Sequence, residues 1–125
     1  MDNAATSFPK PRSVMEAMQR YAAECGASAG RGAYAEAMES AAVLSECRRK
    51  LNRLFNGQNP DHFIFTLNCT DGMNLAIHGL LERAEKSHAI CTAIDHNSTL
   101  RPLNALADKG VVDRSVVPVD SKTGL

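Results

Sequence analysis

The chain has 125 residues, 44% hydrophobic and 22% charged, with fourteen Lys and Arg against fourteen Asp and Glu. That composition is globular, which excludes disordered, collagen-like and coiled-coil classes, and no apolar run approaches the roughly 20 residues of a membrane span. A formal net charge of zero gives no sign of a nucleic-acid binder, which usually carries a net basic face.

The start, Met1 to Ser7, has neither the basic residues nor the apolar stretch of a secretory signal, so the expected compartment is the cytoplasm. Pro9 and Pro11 make residues 2–12 an extended leading segment. Ser13 with Glu16 is a capping-box pattern, and Val14, Met18, Tyr21, Ala22 and Cys25 recur at helical spacing, so a first helix should run to Cys25 and stop at Gly26. Residues 26–32 read as a flexible loop. A longer helix follows, with Tyr34, Met38, Ala41, Leu44, Cys47, Leu51 and Leu54 on one face, ended by Asn56-Gly57 and the turn Asn59-Pro60-Asp61. Arg48, Arg49, Lys50 and Arg53 on it read as a solvated face screened by Glu46.

The texture then changes. Phe63–Thr66 is a short run rich in β-formers and is expected to be a buried strand. Met73, Ile77, Leu80, Leu81 and Ala84 give a helix, Ala89–Ile94 a second strand, and Ser98 caps a helix through Leu100, Leu103 and Leu106 that stops at Gly110. Val111–Val119 supplies a third strand. The order β-α-β-α-β behind two helices predicts an α/β fold with a parallel sheet covered on both faces.

Ligands of open α/β sheets bind at the carboxyl ends of strands. Two such ends are visible. After the first strand, Asn68-Cys69-Thr70 leads into a helix whose free N–H groups and Thr70 hydroxyl suit a phosphate; the plain alternative is an N-cap by Asn68 or Thr70. Neither a dinucleotide fingerprint nor a P-loop is present, so NAD and ATP are poor candidates. After the second strand, Asp95-His96-Asn97-Ser98 puts a histidine on the same edge, able to stack on a planar ring or to sit as an ordinary loop residue. Cys25, Cys47, Cys69 and Cys91 are equally spaced, but their neighbours do not repeat. They lack zinc-ligand spacing, so no metal site is expected, and reduced, mostly buried thiols are.

Taken together, "DNAATSFPKP" from Asp2, "GRGAY" at Gly30–Tyr34, "LFN" at Leu54–Asn56, "FTLNCTDGMNLAIHGLL" at Phe65–Leu81 and "DHNSTLRPL" at Asp95–Leu103 resemble the N-terminal part of class V aminotransferase-like enzymes, the cysteine desulfurase and selenocysteine lyase type. The resemblance runs from Asp2 to about Leu125. It implies that residues 1–125 are the N-terminal portion of an aspartate aminotransferase-like large domain that uses pyridoxal 5′-phosphate. It further implies that Cys69 and Thr70 hold the cofactor phosphate, that His96 stacks on the pyridine ring, and that Ala5 lines the substrate pocket. Cys69 stands where Ala is common, Asp95 replaces the usual Glu, and residues 82–88 lack the family's Pro-Gly-Asp turn.

The same resemblance puts the Schiff-base lysine, the aspartate that pairs with the pyridine nitrogen and the nucleophilic cysteine downstream of this stretch. The chain is therefore expected to be an N-terminal fragment without catalytic residues of its own, inactive alone and forming no stable lysine aldimine with the cofactor. The longer protein would be a homodimer acting on a small cysteine-like amino acid, with no nucleic-acid or membrane partner. A reading from another class is a stand-alone α/β module that binds a phosphorylated ligand or partner without catalysis.

Overall fold

A helix or strand forms where its backbone groups find partners and one of its faces finds cover, and this chain meets the two conditions unequally. The computed structural model describes residues 3, 5–83 and 85–124. Its helices are α1 (Arg12–Glu24), α2 (Ala35–Leu54), α3 (Cys69–Leu81) and α4 (Asn97–Asp108); its strands are β1 (His88–Thr92) and β2 (Asp113–Val117). A single 3₁₀ turn spans Pro60–His62. The chain divides into two compact units, Met1–Ile64 and Phe65–Leu125. Asp2 and Ala4 of the leading motif, and Ala84 of the third helical pattern, lie outside the described residues.

In the first unit the helices form where periodicity places them, but their ends differ from expectation. No capping box forms at α1. Pro11 is the N-cap without a side-chain bond, and Glu16 instead pairs with Arg12 at 2.7 Å. Gly26, at φ +53°, turns the chain after α1. At the end of α2 the left-handed position falls on Asn56 (φ 51°), not on Gly57. Gly57 is small for another reason: a Cβ there would lie 2.4 Å from Asn52 Oδ1 and 3.1 Å from the Phe63 ring.

The apolar stripes of these helices are mostly uncovered. Met18, Met38 and Leu54 are 61%, 63% and 74% exposed, and α2 buries only Ala37 and Ser40. What joins α1 to α2 is polar. Ser40 Oγ donates to the Ala27 carbonyl at 2.8 Å and lies 2.9 Å from Tyr21 Oη and 3.1 Å from Cys25 Sγ. The Cys25 thiol also donates to the Glu36 carbonyl at 3.2 Å. Each donor in this knot has an acceptor. On the basic face, Arg49 is hydrogen-bonded to Glu46 and holds its carboxyl below the usual range. Any stability from that pair is present above the ordinary carboxyl range and lost as pH falls through the lowered one; at an exposed site it is small.

The second unit is a parallel β-α-β crossover. β1 and β2 pair from His88↔Asp113 to Thr92↔Val117, and α4 connects them. The expected strand at Phe63–Thr66 is not one; among the described residues the sheet has two strands. Its backbone is committed locally. Phe63 donates its N–H to the Pro60 carbonyl, its own carbonyl accepts from Arg48 Nε at 3.0 Å, and Thr66 Oγ1 donates to the Asn68 carbonyl. Both observed strands are shorter than expected. Asp95 turns the chain after β1, and the Val111 N–H closes onto the Leu106 carbonyl before β2 begins.

The core of this unit is Cys91, Leu103, Leu106 and Val112 with Pro102, most of it from α4. Cover on both sheet faces does not occur among the described residues: every residue of β2 is exposed, and Ile90 is 69% exposed. The accessible surface totals 10158 Å². A compact protein of this mass exposes about 6,500 Å², and two separate globules of half the mass about 7,900 Å². Phe8, Leu67, Leu80 and Ile94 are among the large apolar side chains left exposed.

Gly110, at φ +69°, ends α4 in the left-handed region, where a Cβ is strained even though nothing crowds it. Gly110→Ala is expected to destabilise the protein by about 1 kcal/mol, read as a lower denaturation midpoint with an unchanged slope.

Candidate functional site

Two helix starts build the candidate site. At α3, Asn68 is the N-cap: its Oδ1 accepts the Asp71 N–H at 2.8 Å, and its carbonyl accepts the Gly72 N–H. The Asn68 alternative is therefore the one that forms, and Thr70 lies inside the helix. That leaves the N–H groups of Cys69 and Thr70, the first two helical residues, without an intrahelical acceptor. They point along the helix axis at its positive end. The Thr70 carbonyl accepts from Asn74 Nδ2 at 2.8 Å, and Thr70 itself is exposed.

At α4 the cap is His96, not Ser98. The Ser98 N–H donates to His96 Nδ1 at 3.1 Å, and Ser98 Oγ lies 2.9 Å from the same nitrogen. Asp95 sets this turn. Its Oδ2 accepts the Thr92 N–H at 2.8 Å while its own N–H donates to the Thr92 carbonyl. A lone pair that accepts a backbone N–H carries no proton, so the neutral His96 ring is protonated on Nε2.

Thr70 and His96 line one cavity of about 480 Å³ between α3 and α4, together with Asn74, His78, Ser98 and Arg101. Cys69 is exposed at the helix start and is not among the lining residues. Ala5 is exposed in the first unit. The sequence reading passed over Asn74, His78 and Arg101, although Thr70, Asn74 and His78 stand four apart on one helical stripe.

Of the cysteines, only Cys91 is buried; Cys25 is half-buried, and Cys47 and Cys69 are exposed, against the expectation of mostly buried thiols. Among the described residues no cluster of three His, Cys, Asp or Glu side chains could hold a metal ion, and no helix is long and apolar enough to cross a membrane.

Comparison with solved structures defines the class. The chain superposes on the apo structure of a cysteine desulfurase from Thermococcus onnurineus with a TM-score of 0.82 and 27% identity, covering 98% of this chain and 30% of that one. It superposes on SspA in complex with cysteine with a TM-score of 0.80 and 27% identity, covering 93% and 33%. The fold is thus the α/β fold of the cysteine desulfurases, pyridoxal-phosphate fold type I. The family follows from the sequence itself, since the aminotransferase class-V model matches residues 1–125. The chain belongs to that family.

A curated relative named "Probable cysteine desulfurase" from Methanothermobacter thermautotrophicus is 34% identical over 94% of this chain and 29% of its own length. One from Aeropyrum pernix is 34% identical over 98% and 30%. The chain thus spans about 30% of the length of these relatives.

Two outcomes test the local geometry. Asn68→Ala removes the cap of α3 and is expected to cost about 1 kcal/mol in a denaturation curve. Imidazole ¹⁵N shifts of His96 are expected to report a proton on Nε2; a proton on Nδ1 in the neutral ring would contradict the cap.

Proposed function

We propose that this chain supplies the phosphate-holding and ring-facing part of a pyridoxal 5′-phosphate site in a cysteine desulfurase-like enzyme. The observation that carries the reading is that Thr70 and His96, at two helix starts remote in sequence, line one cavity. Its donor set suits the group. Two helix-start N–H groups and a hydroxyl favour a phosphate, and an imidazole with its proton on Nε2 leaves a flat face for a pyridine ring. Asp71, in the first turn of α3, brings an adverse charge there, and its backbone N–H is taken by Asn68 Oδ1.

When bound, the cofactor serves as an electron sink for bonds at the amino-acid α-carbon. The residues of this chain would bind and orient it. Cys69 and Thr70 would hold the phosphate through N–H and hydroxyl, His96 would fix the ring plane, and Ala5 would border the substrate. None of the five lysines lines the cavity among the described residues. The reading therefore gives the covalent anchor to the part of such an enzyme that this chain does not span. The whole protein would be a cytoplasmic homodimer that removes sulfur or selenium from a cysteine-like amino acid. The large apolar side chains left exposed favour this reading over a self-sufficient binding module.

The test uses pyridoxine 5′-phosphate, which has the ring and phosphate but no aldehyde, and so reports recognition without lysine chemistry. Fluorescence titration is expected to show it binding at least tenfold tighter than pyridoxine. Thr70→Ala should weaken it about tenfold, as befits loss of a hydrogen bond to a charged group. Equal binding of the two compounds, or an unchanged affinity in Thr70→Ala, would sink the reading.

A further inference from the structure

The cavity continues past the groups used above. Asn74 and His78 follow Thr70 along one stripe of α3, and Arg101 follows Ser98 by one turn of α4; all of them line the same space. His78 lies eight residues beyond Thr70, which is about 12 Å along the helix axis. A phosphate held by the first two N–H groups of α3 cannot also reach it.

His78 is oriented from behind. Its Nδ1 lies 2.8 Å from Glu82 Oε1, and the pair is i,i+4 on the helix. With Nδ1–H donating to that carboxylate, Nε2 is the ring nitrogen left for a ligand, and a proton there makes it a donor. Arg101 brings a guanidinium, a planar fork of N–H groups that matches oxyanions bidentately. It has no carboxylate partner among the described residues. The cavity lining contains no Asp or Glu. His78, backed by Glu82, and Arg101 therefore share one concave space whose lining carries no carboxylate.

We infer that the groove between α3 and α4 holds a second oxyanion site, formed by Arg101 and the His78–Glu82 pair, for a phosphate-class group on a small ligand. The site is separate from the helix-start cradle and does not depend on the cofactor reading. Arg101 would grip the oxyanion by its fork, and His78 would donate through Nε2 with Glu82 keeping the ring in place.

The experiment titrates inorganic phosphate into the full chain and follows the imidazole signals of His78 and the guanidinium Nε signal of Arg101 by ¹H–¹⁵N NMR. Saturable shifts at both are expected. His78→Gln and Arg101→Gln should each weaken binding at least fivefold, while Thr70→Ala should change it less than twofold. His78 is 39% exposed and Arg101 lies on the surface, so both variants should fold; unchanged backbone signals elsewhere check this, and each variant tests the site without the other. The inference is overturned if chloride at equal concentration gives the same shifts. It is also overturned if phosphate binding is lost in Thr70→Ala and kept in the other two. Failure here leaves the pyridoxine 5′-phosphate titration untouched, and failure there leaves this one readable.

Discussion

The second unit depends on α4. This one helix contributes Pro102, Leu103 and Leu106 to a core completed by Cys91 from β1 and by Val112. Burying such side chains gives roughly 1.5–3 kcal/mol each, so this handful of residues carries most of what holds the strands together. The same helix joins β1 to β2, and its first turn carries the histidine of the site. Loosening the Leu106 contact would release the crossover, the parallel register and the His96 turn at once. α3 packs beside α4 without burying any residue fully, and the junction of α1 with α2 is a set of hydrogen bonds around Ser40.

Much of this was readable from residue pattern. The four helices follow from spacing, because periodicity reflects a backbone that repeats every 3.6 residues whatever covers it. Cover was the hidden quantity. Met18, Met38 and Leu54 have the pattern of a core face and are exposed, whereas Ala37 and Ser40, which have no such pattern, are buried. Phe63–Thr66 has the composition of a buried strand, but strand pairing is a contact at a distance that composition cannot specify. Here the surrounding bonds from Arg48 and Pro60 take the backbone elsewhere.

The site shows the same division. Thr70 and His96 could be singled out because strand ends followed by helix starts are where α/β sheets expose N–H groups. The two alternatives for capping α3 resolved to Asn68, whose short side chain reaches the third helical N–H. At α4 the cap fell on His96 rather than Ser98, since the Asp95–Thr92 bonds turn the chain two residues earlier. His78 and Arg101 were not foreseen because each is unremarkable alone, and only the packing of α3 beside α4 brings them to one cavity.

The cap at α4 has a consequence for how the site and the fold share a proton. A single lone pair on His96 Nδ1 both closes the helix start and fixes which nitrogen of the ring is a donor. That nitrogen is committed to the helix, so Nε2 is the one left to meet a ligand. Whatever lies against its face meets a ring whose orientation lasts for as long as that turn stays wound.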